Sequence, residues 1–213
     1  IVAILFPMFA ITALGFWVGR RSRPDLSHAN QLNMDVFVPA LVFAAMVSKD
    51  FRLTEYLPLA GAAAFMMVGS GVVGWLAAKA LGMQPKTLVP PMMFNNCGNM
   101  GLPLAVLAFG ETALAPAVVM FLVSNLLHFS FGAWLLDHRT RLLTLWRSPV
   151  ILATLAGLAV GLAGVTVWPP LLMSVKMVGD ISIPLMLFAL GARLADSKIT
   201  AVGVGLLGAA LRP

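Results

Sequence analysis

Charge is scarce in this chain. Only 10% of its 213 residues are Asp, Glu, Lys or Arg, against about a quarter in a soluble globular domain. Hydrophobic residues make up 60%, and mean hydropathy is +0.95. A water-soluble fold is excluded, and lipid is the expected solvent. Cysteine is scarcer still. Cys97 stands alone, so the chain has no partner for an intramolecular disulfide and no second thiolate for a metal site. His28, His128 and His138 lack metal-ligand spacing, and no cofactor is expected. The single tyrosine, Tyr56, is not beside an aspartate, which removes the pattern of an intramembrane aspartyl protease. The net charge of +6 would suit nucleic acid if it lay along one face. The basic residues instead form short clusters between apolar runs, so they read as topology signals and no nucleic-acid partner is expected.

What the chain does have is long apolar runs. About 20 residues at 1.5 Å each cross the hydrocarbon of a bilayer. Seven such runs fall at 1–19, 26–48, 56–82, 87–109, 112–136, 148–167 and 170–193, with an incomplete eighth from Thr200. The first exceeds a signal-peptide core and has no small-x-small cleavage site before Arg20, so it is expected to be a true span. With the N-terminus outside the cytoplasm, ten of the 14 Lys and Arg residues fall in inner connections, the other four being Lys49, Arg52, Lys176 and Arg212. That bias sets the expected orientation.

The fourth run is not ordinary lipid-facing helix. Between Phe94 and Pro103 it holds Asn95, Asn96, Asn99, Gly98, Gly101 and Pro103. Backbone that leaves the helix at membrane depth survives only where it is buried in protein or lines a polar cavity. The amides supply donors and acceptors, and the glycines let backbone approach a ligand. A half-helix restarting near Leu102–Pro103 would aim its unpaired N–H groups into the break, which suits an anion such as a carboxylate. The bland alternative is a kink whose asparagines glue neighbouring spans.

Other polar residues sit inside the spans. Ser124, Asn125 and His128 share one helical face with Gly132 a turn further on, so they line a cavity or bond between helices. Histidine is the side chain best suited to exchanging a proton near neutral pH, so His128 is a candidate proton carrier. Asp35 and Asp180 each lie about ten residues into their spans and are candidates for proton coupling. Lys176, four residues before Asp180, is spaced to neutralise it, which favours a structural ion pair there. Ser124 with His128 lacks a nucleophile elbow and a third orienting group, so an intramembrane hydrolase, and an enzyme generally, is the weaker expectation.

An internal repeat links the two aspartates. Asp35-Val-Phe-Val-Pro39 through Ala44 aligns with Asp180-Ile-Ser-Ile-Pro184 through Ala189 at an offset of 145 residues. Five spans separate the copies, so the second copy enters the membrane inverted, the arrangement of many secondary transporters.

These residues resemble a known group. Asn96, Met100-Gly-Leu-Pro-Leu104 and Phe109-Gly-Glu111, with Asp180 to Leu185 leading to Gly191-Ala-Arg-Leu194, are similar to the auxin efflux carrier family, in its bacterial branch. The resemblance implies an all-α polytopic membrane protein of two inverted five-helix repeats, each with a broken crossover helix. Residues 1–138 would form the first repeat, with spans 1 and 2 as scaffold and spans 3 to 5 as transport domain. Residues 146–213 would form an incomplete second repeat, with spans 6 and 7 as scaffold and the start of span 8. The second broken helix would lie past Pro213, and a chain ending there is not expected to transport by itself.

The implied function is secondary transport of small organic anions by movement of a transport domain against a scaffold. Asn96 would contact the substrate carboxylate and Pro103 would follow the break. The expected substrate-binding set is Asn95, Asn96, Gly98, Asn99, Gly101, Pro103, Ser124 and Asn125. Expected partners are the anion, the lipid bilayer, H+ or Na+ as coupling ion, and a second copy joined through scaffold helices. The expected location is the bacterial inner membrane. The alternative is a non-transporting receptor or assembly subunit that binds ligand at the same break.

Overall fold

A computed structural model describes residues 2–47, 53–132 and 147–197, together with Gly203. The end of span 5, the eighth span, His138 and the topology residues Lys49, Arg52, Arg139, Arg141, Lys198 and Arg212 lie outside the described residues. Among those described, every regular element is helical. The chain is an all-α multi-pass membrane protein. Four stretches are long and apolar enough to cross a bilayer: Ser27–Val47, Thr54–Ala80, Glu111–Gly132 and Pro169–Asp196. Helix α1 (Val2–Ser22) has the length to cross as well, at 21 residues. Its last turn carries Arg20 and Arg21, which favour the negative end of the helix dipole. Each guanidinium lies over an aromatic ring one turn back, Arg20 on Phe16 at 5.7 Å and Arg21 on Trp17 at 5.5 Å. Cations held on aromatic faces mark a boundary between lipid and water.

Asp25 shapes the turn into the second span. Its carboxylate accepts the Ser27 hydroxyl and the Ser27 amide, the latter at 2.9 Å. The hydroxyl bond first, and the amide bond second, hold the Asp25 carboxyl below the usual aspartate range. Span 2 is α2 (Ser27–Leu32), a π-helical turn (Asn33–Phe37) and α3 (Val38–Val47). The wider turn has a cause two residues past its end. Pro39 has no N–H to give the carbonyl four residues back, that of Asp35, and its ring pushes on that turn. After α4 (Leu53–Ala80), α5 (Pro85–Met93), α6 (Leu102–Phe109), α7 (Leu114–Leu127) and α8 (Pro149–Leu162), span 7 repeats the pattern. Helix α9 (Pro169–Asp180) stops at Asp180, Ile181 forms a turn, and α10 (Ser182–Asp196) begins. Pro184 leaves the Asp180 carbonyl without its helical donor in the same way.

The chain divides into two compact units. The first comprises Ile1–Leu53, Cys97–Val118 and Leu143–Ser197. Lipid tails are as apolar as leucine, so helices in a membrane associate through close packing of small residues. Here α1 lies along α10. A Cβ added to Gly15 would collide with the Phe188 carbonyl, one on Gly19 would press on Ala192 and Ala195, and one on Gly191 would strike the Thr12 carbonyl. Helix α3 packs on α8, where Gly157 faces Met46, and on α9, where a Cβ at Gly179 would stand 2.6 Å from the Leu41 amide nitrogen. Val38, Leu41, Val42, Met46 and Leu187 are buried in this unit.

The second unit comprises Thr54–Asn96, Val119–Leu142 and Lys198–Pro213. Gly71 and Gly74 of α4 make room for Met93 and Met92 of α5, and Leu88 and Met92 are fully buried. Large apolar side chains face outward on the same helix, Phe65 at 77% exposure among them. Such a surface belongs against lipid tails rather than water.

Candidate functional site

Helix α5 starts on Pro85 and carries Pro90 and Pro91 near its end. It stops at Met93, and Phe94 turns the chain to extended backbone with φ −107 and ψ 125. The Phe94 amide still donates to the Pro90 carbonyl at 2.9 Å, closing the helix. Asn95 and Asn96 follow in non-helical backbone with exposed side chains. The chain then re-enters a helix as a π-helical turn, Cys97–Gly101, which runs directly into α6. The restart is at Cys97, not at Leu102–Pro103 as the sequence suggested. The reason is again the wide turn ahead of a proline: π geometry absorbs the missing N–H of Pro103, which sits buried in the first turn of α6. The break is thus three residues, Phe94–Asn96. The amides opening the following turn have no helical carbonyl behind them, as at any helix start.

Gly98, Asn99 and Gly101 therefore lie on helical backbone, and all three are half-buried. Helix α6 ends at Gly110, whose φ of 81 a side chain would strain. The polar face of span 5 reaches the break through aromatic rings. Ser124 is buried, Asn125 is half-buried, and His128 opens a π-helical turn, His128–Gly132, with its ring exposed. The Phe94 ring meets His128 edge to face at a centroid distance of 4.7 Å, and His128 meets Phe129 at 5.2 Å. Gly132 completes the seat, since a Cβ there would stand 2.7 Å from the Phe94 ring. Phe94 was missed by the sequence reading. No local signal marks it, because the glycine it faces, Gly132, stands far along the chain in span 5.

The two aspartates are placed differently. Asp180 pairs with Lys176 at 3.1 Å, and Lys176 also reaches Glu111 at 3.5 Å. Asp35 is exposed on its π-helical turn. Sequence reading also missed the buried polar pair next to them. The Ser182 hydroxyl donates to Asn33 Oδ1 at 2.8 Å, with both residues buried. Each lies two positions from one of the paired aspartates, which was the available hint. Among the described residues, no group of His, Cys, Asp or Glu is arranged to hold a metal ion.

Among the described residues, the arrangement offers neutral amides, helix-start N–H groups and one imidazole, with no acid–base or nucleophile pair in hydrogen-bond contact. Such donors suit a polar or anionic ligand. The comparisons agree with a membrane role. No solved structure matches the chain significantly. A protein of Rhizobium meliloti (strain 1021), named "Putative malonate transporter", is 25% identical over 219 aligned residues that cover 92% of this chain and 67% of that protein. The model of the family described as "Membrane transport protein" matches residues 1–142, and the chain belongs to that family, the auxin efflux carriers.

Proposed function

We propose that the chain works in secondary transport of small organic anions of the carboxylate class, with the anion held at Phe94–Asn96. The observation that carries this is the pair of exposed amides, Asn95 and Asn96, on non-helical backbone between α5 and the turn that leads to α6. Exposed amides and free helix-start N–H groups at membrane depth are costly unless a polar ligand uses them. A carboxylate accepts from both kinds of donor, which gives charge-assisted bonds without a buried cation. The related protein named for malonate supports this class, because malonate is a small dicarboxylate.

The proposed mechanism moves a transport domain against a scaffold. Two features support it. The glycine-packed pairs α1 with α10 and α3 with α8 join spans 1 and 7 and spans 2 and 6, so each pair combines elements of both proposed repeats. Spans 2 and 7 are also interrupted at matching positions, Asp35 and Asp180, each four residues before a proline. Both features are what inverted repeats would give. His128, in ring contact with Phe94, is the proposed proton carrier, ahead of Asp180, which already has Lys176 as a partner. The proposed orientation has the N-terminus outside the cytoplasm, in a bacterial inner membrane.

Uptake by proteoliposomes containing the full-length protein tests the function. Concentrative uptake of labelled malonate or a similar carboxylate is the expected result. Saturable binding with no uptake under any imposed gradient would make the protein a receptor.

A further inference from the structure

The second unit holds a groove that the proposed anion site does not use. One face of α4 supplies Val68, Gly71, Val72 and Trp75, at i, i+3, i+4 and i+7, and the facing walls come from α5 and from the described part of span 5, including Met93 and Phe131. The groove encloses about 510 Å³, and its lining is apolar throughout. Gly71 sets its depth, because a Cβ there would stand 3.1 Å from the Met93 sulfur. Trp75 and Phe131 are 40% and 41% exposed, so the groove opens outward.

One end of the groove is cationic. Lys79 lies in the last turn of α4, and its ammonium sits 3.9 Å from the centroid of the Trp75 ring that lines the groove. A cation on an indole at the end of a spanning helix is set at the headgroup level, with its stem along apolar surface.

We propose that this groove binds an anionic phospholipid, with an acyl chain along Val68, Gly71 and Trp75 and the phosphate at Lys79. Three observations favour that occupant. An apolar groove in a membrane has no use for water, which leaves apolar cavities dry. From Val68 to Lys79 the helix rises about 16 Å at 1.5 Å per residue, close to half of a hydrocarbon core about 30 Å thick. That is the depth of one leaflet, and so of one acyl chain. The cationic end then meets a phosphate where a lipid would carry it, and a neutral apolar ligand would have no use for it. The proposal rests on the membrane-spanning fold and not on anion transport, so uptake assays and lipid binding fail independently.

The test is fluorescence quenching in the full-length protein. With Trp17, Trp134, Trp146 and Trp168 changed to Phe, Trp75 is the indole left within residues 1–213, and any tryptophan outside that range is changed too. The protein is placed in nanodiscs with phosphatidylglycerol or phosphatidylcholine brominated on the acyl chain. The expected result is a preference of about fivefold for the anionic lipid in quenching Trp75, the effect of one lysine at the headgroup. Lys79→Gln should abolish that preference and leave quenching equal. Equal quenching with Lys79 intact overturns the anionic-lipid assignment, and absence of quenching by either lipid shows the groove covered by protein and overturns it also. If the four-tryptophan variant does not fold, native mass spectrometry of the unaltered protein decides. Retained anionic phospholipid that Lys79→Gln sheds supports the site, and an unaltered protein that carries none overturns it.

Discussion

The imidazole of His128 meets the ring of Phe94 edge to face, at 4.7 Å between centroids. The contact ties the polar face of span 5 to the residue that ends α5, so a change of charge on His128 acts one residue away from Asn95. If His128 carries the transported proton, His128→Gln should abolish stimulation of uptake by an imposed pH gradient and spare substrate exchange. Retained pH-driven accumulation in that variant would give His128 a packing role and pass coupling to Asp35 or Asp180.

Close helix packing gives two glycine substitutions opposite signs. At Gly191 a Cβ would strike the Thr12 carbonyl, so Gly191→Ala should destabilise by about 1–3 kcal/mol, as overpacking does. Gly61, in α4, has open space around its Cβ position. Gly61→Ala should therefore be neutral or stabilise by up to about 1 kcal/mol, the helix-interior difference between the two residues. Thermal unfolding of both variants in one detergent compares them directly.

The buried bond from Ser182 to Asn33 joins the two interrupted spans. Hydrogen bonds between membrane helices are worth about 0.6 kcal/mol on average and up to about 1.7. Ser182→Ala should cost an amount in that range, and adding Asn33→Ala should cost less than the sum of the two single changes. Additive losses in a double-mutant cycle would show that the pair is not coupled.

Asp25 provides a test outside the membrane. Its carboxyl is held below the ordinary aspartate value by the Ser27 hydroxyl and amide. A depressed folded-state pKa means that the stabilisation is fully present above the unfolded value near 3.9 and is lost as pH falls through the folded one. Ser27→Ala should move the Asp25 titration back toward the ordinary value, as read by the pH dependence of amide exchange at residue 27.

Much of the fold was legible in the sequence because lipid imposes one demand on every span, an apolar run of sufficient length. Helix α1, α4 and the span of α9 and α10 follow from that alone. The interruptions at Asp35 and Asp180 were legible through the prolines four residues on. The restart at Cys97 was not, because a sequence marks the proline but not whether a π-helical turn will absorb its missing donor. Asn95 and Asn96 were legible as amides where none belongs. The role of Phe94 was not, since its meaning comes from His128 and Gly132, more than thirty residues away. The apolar groove was invisible for a related reason: Val68 and Trp75 read as lipid-facing residues until Met93 and Phe131 stand opposite them.

The most direct test of the account is a binding titration of Asn96→Ala against the parent full-length protein, with the carboxylate that the parent takes up and with Asn125→Ala alongside. Loss of a hydrogen bond to a charged group costs about 1.5–3 kcal/mol, or about ten- to a hundredfold in affinity. Asn96→Ala should show that loss, and Asn125→Ala, whose half-buried side chain stands on α7, a smaller one. Unchanged affinity in Asn96→Ala would contradict the assignment of the break as the anion site.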